Sequence, residues 1–392
     1  MVGPNILKND VPTLPDEWSW VPIGEYFDFK NGLNKAKQFF GYGKPIINYM
    51  DVFEFSGIYA SQIKGKVDVD ANELRSFDVK KGDVLFTRTS ETVNEVGISC
   101  TVLDDVSETV FSGFVLRGRP KNNKLNNLFK KYVFSSAFVR KQIISKATYT
   151  TRALTNGRVL SNILIPVPNS EKEQLAIAEA LGDVDVFITS LEKLIEKKES
   201  IFSGLKRELF KRANESSDYE MVKLGRILSY EQPTKYIVQD SQLNTAGKVP
   251  VLTANKAFIL GYSEEISGIK EDLPVIIFDD FTTDKKFVDF KFKVRSSAMK
   301  LLSTRSIEND AYYVFSAMEQ IDFPVLDHKR YWISEYQYIQ IPLPRSEEQK
   351  RVTSILLNFE NEIKSLKSKL HKVQKIKLGM VQELLLGRMR LT

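Results

Sequence analysis

The residues able to do chemistry are few. The chain of 392 residues has one cysteine, Cys100, and two histidines, His328 and His371. A structural zinc site needs about four clustered Cys or His ligands, and these three are scattered. No disulfide can form within the chain, which points to a reducing compartment. Cys100, in Val-Gly-Ile-Ser-Cys-Thr-Val, reads as a buried strand residue. His371 reads as surface polar. Phe39-Phe40-Gly41-Tyr42-Gly43 fits FxGxG, the S-adenosylmethionine loop of many methyltransferases. Such a loop should end a strand and open a helix, yet polar residues precede it and Pro45 follows, so a turn is expected. An Asn/Asp-Pro-Pro-Tyr/Phe element, which would hold a flipped adenine, does not occur, nor does a GxxxxGK[ST] phosphate loop. Asp279-Asp280 could suggest a metal-dependent nuclease, but an Asp/Glu-x-Lys partner pattern at a plausible spacing is not evident and an exposed loop is expected. The chain therefore reads as a binding protein, not an enzyme, with no cofactor or metal of its own.

The elements that must position any binding surface are announced by an internal repeat. Ile-Pro-Val-Pro-Asn-Ser-Glu-Lys-Glu-Gln ends at Gln174, and Ile-Pro-Leu-Pro-Arg-Ser-Glu-Glu-Gln ends at Gln349. Pro166 and Pro168 match Pro342 and Pro344. In each copy an apolar stretch stops at Pro-x-Pro, where helix is disfavoured. Ser170 or Ser346 can then cap a helix with Glu or Gln in its first turn. A 3–4 apolar spacing follows: Leu181, Val184, Ile188, Leu191, Ile195, Phe202 and Leu205 in the first copy. The second has Leu356, Phe359, Ile363, Leu366, Leu370, Val373 and Met380. Lys198 and Lys377 alone break these heptads. Heptads of this length call for a coiled coil. Each helix, of about 42 residues, would be about 63 Å long and needs a partner, for which the other copy is the obvious choice. Gly204 and Gly379 match and suggest either close helix approach or a weak point.

Residues 1–162 and 213–338 precede helical segments 163–212 and 339–392. Both are rich in β-branched and aromatic residues with Gly, Asn and Asp turns, reading as mixed β with some helix. The fold class is therefore α+β: two mixed domains, each followed by a long helix. Formal charge is uneven. Residues 1–162 carry 22 basic and 17 acidic groups (+5), 163–212 carry 8 and 9 (−1), 213–344 carry 15 and 19 (−4), and 345–392 carry 11 and 5 (+6). Nucleic-acid binding suits the first domain. The second needs segregated charge or cations from a partner. No stretch reaches the roughly 18 apolar residues of a membrane span, and the N-terminus lacks a signal-peptide pattern, so a cytoplasmic protein is expected.

Together these features resemble the specificity subunit of type I restriction–modification systems. The resemblance covers essentially the whole chain. It rests on the two PxP–SExEQ-type helix starts, the paired heptads, Gly82–Arg88 (GDVLFTR), Pro250–Tyr262 (PVLTANKAFILGY) and Leu384–Leu391 (LLLGRMRL). It implies two target-recognition domains, each reading one half of a split, asymmetric DNA target. It implies antiparallel helices that act as a ruler, and an internal pseudo-twofold. It also implies partners: double-stranded DNA, two methyltransferase subunits and restriction subunits, with S-adenosylmethionine, ATP and Mg on those partners.

Base edges are read by Arg, Lys, Asn, Gln, Ser and Thr, and phosphates by these plus Tyr and backbone amides. Polar runs leaving strands are thus the candidate contacts. In the first domain these are Thr87, Arg88 and Ser90, then Arg152, Asn156 and Arg158. In the second they are Lys235 and Tyr236, Asn255 and Lys256, Thr282, Thr283 and Lys285, and Lys329 and Arg330. The alternative is a standalone coiled-coil adaptor whose variable domains bind proteins, which the net-acidic second domain would suit.

Overall fold

The computed structural model describes residues 11–149, 151–240, 242–253, 258–325 and 330–391. The chain forms two compact units, Met1–Leu191 with Lys369–Thr392, and Glu192–Ser368. Each long helix contributes residues to both.

The first unit opens with Trp18–Pro22, paired antiparallel with Leu164–Pro168, the apolar stretch that ends in Pro-x-Pro. A five-stranded sheet follows in the order Phe27–Asn31, Val115–Pro120, Val84–Thr87, Ser99–Val102, Gly57–Ile58. Val84–Thr87 is buried on both faces, as its apolar Val-Leu-Phe run requires. A three-stranded sheet places Phe40–Ile47 between Lys66–Val67 and, in parallel, Val110–Phe111. Cys100 lies in the buried strand Ser99–Val102, where burial pushes its thiol pKa up. Phe39–Gly43 falls at a register shift in Phe40–Ile47, with Gly41 and Gly43 at φ of 102° and 89°. This is a bulged strand whose positive φ favours glycine.

The second unit repeats this build. Glu220–Lys223 pairs with Gln340–Leu343. The main sheet runs Leu228–Glu231, Met299–Thr304, Val275–Asp279, Lys285–Val288. A smaller sheet sets Val249–Leu252 between Ile259–Ser263 and, again in parallel, Lys293–Val294. The two domains, divergent in sequence beyond a few motifs, thus share one strand order over four main-sheet strands, to which the first adds Gly57–Ile58.

The Glu-Gln pair repeated after each Pro-x-Pro has a structural reason. Gln174 is 1% exposed. Its Oε1 accepts the backbone N–H of Asn126 at 2.8 Å, and its Nε2 donates to the carbonyls of Lys124 and Pro168 at 3.0 and 3.1 Å. Asn126 in turn caps the helix Asn127–Val133 through Leu128 N–H. In the second unit Gln349 Oε1 accepts the N–H of Asp310 at 2.8 Å, and its Nε2 donates to Pro344 O at 2.8 Å. Asp310 caps Ala311–Glu319. Each glutamine therefore pins the start of a domain helix to the start of a long helix. The first long helix begins at Glu171, directly after Ser170, and the second at Ser346 itself. Ser346 thus stands inside its first turn, a one-residue difference from the cap position expected for it.

The long helices span Glu171–Glu215 and Ser346–Leu385. In the first unit Asp185 meets Lys377 at 2.5 Å, and Lys369 lies over the Phe187 ring. In the second, Lys198 meets Glu362 at 2.8 Å, Glu199 meets Lys367 at 2.6 Å, and Phe202 stacks on Phe359. Numbers rise on one helix as they fall on the other, so within each unit the pair is antiparallel. Leu181, Leu191, Ile195, Phe202, Leu356 and Ile363 are buried. Val184, Ile188, Leu205, Phe359, Leu366, Leu370, Val373 and Met380 are half-buried. The two lysines that break the heptads, Lys198 and Lys377, each form an interhelical ion pair, so their stems stay in the seam while their heads find carboxylates. Gly204 and Gly379 do not mark close approach: a Cβ at either would meet nothing within 4 Å.

Lys377 shares Asp185 with Lys131 (2.8 Å) and with the Tyr132 hydroxyl (2.7 Å). Burial alone would raise the Asp185 pKa. Hydrogen bonds from Lys131, Lys377 and Tyr132 outweigh it and hold the carboxyl below its usual range. The stabilisation is complete above about pH 4 and is lost as pH falls through the depressed folded value. Asp185→Asn should cost about 1–2 kcal/mol at neutral pH and flatten the acid limb of stability, measured by urea unfolding against pH. Gln174→Ala should cost about 2–4 kcal/mol in the same assay, because it strands one buried donor and two acceptors.

Candidate nucleic-acid interface

In the first unit the central strand Val84–Thr87 delivers the chain into the polar run Arg88–Thr92. Thr87 itself is buried: its hydroxyl donates to Glu95 O at 2.6 Å and accepts from Ile98 N–H at 2.9 Å. Its hydrogen-bonding capacity is used inside the fold, which removes it as a contact. Arg88 reaches across to donate to Gly113 O at 3.3 Å, and its backbone N–H bonds to Phe114 O. It braces the Ser112–Phe114 turn. Ser90 is also buried, donating to the Glu95 carboxylate and accepting Thr92 N–H.

The second polar run arrives at the same place through a small sheet. Thr89–Ser90 pairs with Ala153–Leu154, which pairs with Thr148–Tyr149. Thr155 N–H also bonds to Arg88 O. The hairpin thus projects Arg152 beside residues 89–92, about 60 positions away in sequence. Arg152 is exposed and, among the described residues, makes no hydrogen bond or ion pair. Asn156 caps the helix Gly157–Ser161 by accepting Val159 N–H at 3.0 Å, so its side chain is committed locally. Arg158, on that helix, is exposed.

Between the hairpin and the loop lies a concavity of about 330 Å³, whose lining includes Tyr49, Glu91, Thr92, Phe114 and Arg152. Sequence reading missed Tyr49, Glu91 and Phe114, and also the hairpin's Tyr149. Phe114 is 55% and Tyr149 60% exposed. An aromatic residue in a strand-rich segment reads as core, and only the fold shows these two facing water. A larger cavity of about 550 Å³ has a different character. Its wall is mostly apolar, and its cations are engaged: Lys131 and Lys377 by Asp185, Arg140 by the carbonyls of Asn94, Val96 and Gly97.

In the second unit the strand Val275–Asp279 leads into the matching loop. The Asp279 carboxylate accepts the N–H groups of Phe281 and Thr282 at 2.8 and 2.9 Å. Asp280 is buried, accepts Trp332 N–H at 3.0 Å and faces Lys300 at 3.4 Å. These carboxylates hold the loop and are not an exposed pair. Thr283 is buried at φ 60°, a strained position for a β-branched residue. Phe281 and Thr282 form the exposed tip. Lys285 donates to the Tyr336 hydroxyl at 3.1 Å, and burial lowers its pKa. It supports the loop from inside.

Lys235 pairs with Glu231 at 2.6 Å, and the buried Tyr236 donates its hydroxyl to the same carboxylate. Lys270 adds a third contact at 3.1 Å. Tyr236 thus serves an internal network, while Lys235 is an exposed side chain held to the same carboxylate. Arg330 is exposed and precedes the helix Tyr331–Ser334. Asn255, Lys256, Lys329 and His328 lie outside the described residues. His371 is exposed on the second long helix.

A protein-family model described as the type I restriction modification DNA specificity domain matches twice, at residues 15–201 and 216–375. The chain is 46% identical over 133 residues to the Escherichia coli type I restriction enzyme EcoR124I/EcoR124II specificity subunit, an alignment covering 32% of this chain and 33% of that one. It is 23% identical to the putative type I restriction enzyme MjaX specificity subunit of Methanocaldococcus jannaschii, covering 98% of this chain and 97% of that one. Among solved structures, the type I restriction–modification S subunit from M. genitalium superposes with a TM-score of 0.58 at 15% identity, over 98% of this chain and 99% of that one. The HsdS subunit from Thermoanaerobacter tengcongensis gives 0.51 at 15%, over 96% and 99%. With both halves matched and the fold shared along its length, the chain belongs to the type I restriction–modification DNA specificity family.

Proposed function

We propose that this chain is the non-catalytic, sequence-reading subunit of a type I restriction–modification complex. The observation that carries the reading is two copies of one domain topology in a single chain, each carrying a different polar loop on the same central strand. Two readers of one build but different surface chemistry suit a bipartite, asymmetric DNA target. The family match leaves the protein-binding adaptor without support. Residues 1–162 and 213–338 are the two target-recognition domains, and 163–212 and 339–392 the helical ruler between them.

The helices also carry apolar side chains on their outer faces. Val186, Phe187, Ile376 and Leu378 are exposed in the first unit, and Leu194, Ile201 and Ile355 in the second. Apolar residues facing water on both units suit two docked methyltransferase subunits. Those subunits would supply S-adenosylmethionine chemistry on a flipped adenine, and restriction subunits the ATP- and Mg-dependent cleavage. No helix among the described residues is long and apolar enough to cross a membrane, and a cytoplasmic complex on DNA is the setting proposed.

The test is to map N6-methyladenine in cells with and without this gene. One split motif should lose methylation on deletion, and complementation by a chain with one heptad added to each long helix should restore a motif with a longer gap. Deletion that removes no split motif overturns the reading; an unchanged gap overturns the ruler alone.

A further inference from the structure

Three charged residues line the concavity of the first unit: the Glu95 carboxylate is taken by the Ser90 hydroxyl, and the other two, of opposite sign, do not neutralise each other. Glu91 and Arg152 both line it. Both are exposed, and neither makes a hydrogen bond or ion pair among the described residues. Their surroundings are fixed. Ser90, Thr92 and Glu95 are tied together by the Ser90 hydroxyl. Ala153 is held against Ser90 by strand pairing, which sets the direction from which Arg152 approaches. Phe114 forms an apolar wall, its backbone N–H on Ser112 Oγ and its carbonyl on Arg88 N–H. Tyr49 is braced by stacking on Phe53, with ring centroids 6.0 Å apart.

A ligand that satisfies both charges must present acceptors to a guanidinium fork and a donor to a carboxylate. A phosphate satisfies the first and is repelled by the second. Adenine places a donor, N6, beside its N7 and so defeats the fork. In the major groove guanine alone offers two adjacent acceptors, O6 and N7, and its partner cytosine offers the N4 amino donor. Resting on the DNA-reading role proposed above, we infer that this concavity reads one G·C base pair of the half-site bound by the first unit. Arg152 donates to guanine O6 and N7, Glu91 accepts from cytosine N4, and Phe114 closes one side of the contact. Arg88 and Ser90 position this site and do not touch the base pair.

The experiment uses the full chain co-expressed with its methyltransferase partners, with the methylated motif mapped for wild type, Arg152→Ala, Arg152→Lys and Glu91→Ala. All three variants should relax the same single G·C position by about 10- to 100-fold and leave the other half-site unchanged. Arg152→Lys keeps the charge and loses the fork, so it should relax the position as well. It also serves if Arg152→Ala is not recovered folded. Uniform weakening on all sequences with Arg152→Lys behaving as wild type would assign Arg152 to phosphate and overturn the inference. Relaxation by Glu91→Ala and Arg152→Ala at different base pairs, at an A·T pair, or at none would do the same. A wild-type chain that directs methylation to no split motif would instead bring down the DNA-reading role itself.

Discussion

Each half of this protein hangs on one buried amide side chain. Gln174 and Gln349 accept a backbone N–H from the cap residue of a domain helix and donate to carbonyls at the start of a long helix. A buried amide tolerates little misplacement, because a missed bond leaves a desolvated polar group unpaired. The angle between a reader and the helix that follows it is thereby set by hydrogen bonds whose geometry is narrow. A hydrophobic contact alone would leave that angle soft. The first unit adds a clasp at the same place: Arg390 bonds to Glu173 and Glu17, and Trp18 Nε1 donates to Glu173 at 3.2 Å. In the second unit Glu348, the counterpart of Glu173, instead pairs with Arg351 on its own helix.

That rigidity matters because the surfaces held out by it differ. The central strand of each unit ends in a polar loop, but the loops are built by different means. In the first, the paired strands Thr148–Tyr149 and Ala153–Leu154 are stitched to Thr89–Ser90 and bring up Arg152, which has no hydrogen bond or ion pair among the described residues. In the second, Asp279 folds the loop around its own carboxylate and Thr283 takes a left-handed conformation. One scaffold thus accepts unrelated loop chemistry, since loop residues are bonded locally while the strand order beneath depends on apolar faces.

Charge follows the same division. Several cations that look available in sequence are structural: Lys235 with Glu231, Lys285 on Tyr336, Lys198 and Lys377 between the helices. Lys198, Lys377 and Lys285 are neutralised or desolvated by partners far away in sequence, which reduces what they can offer an anionic ligand, while Lys235 stays exposed beside Glu231, four residues earlier. The net charge of a domain therefore overstates its capacity for DNA, and the unpaired, exposed groups are the ones that count.

The repeat, the two long helices, their heptad seams and the Pro-x-Pro boundaries were legible from residue types and spacing. Helical periodicity and proline stereochemistry are local properties that sequence carries directly. The resemblance to specificity subunits was legible from those elements together with the short motifs at Gly82–Arg88, Pro250–Tyr262 and Leu384–Leu391. The shared strand order of the two domains was not, because strand pairing is non-local and the apolar faces that direct it tolerate many sequences. Nor was the contrast between the exposed Arg152 and the buried Thr87, or between the exposed Thr282 and the half-buried Lys285. Sequence determined that polar loops leave the central strands; only the tertiary structure decided which of their side chains face water, because that depends on partners brought close by folding.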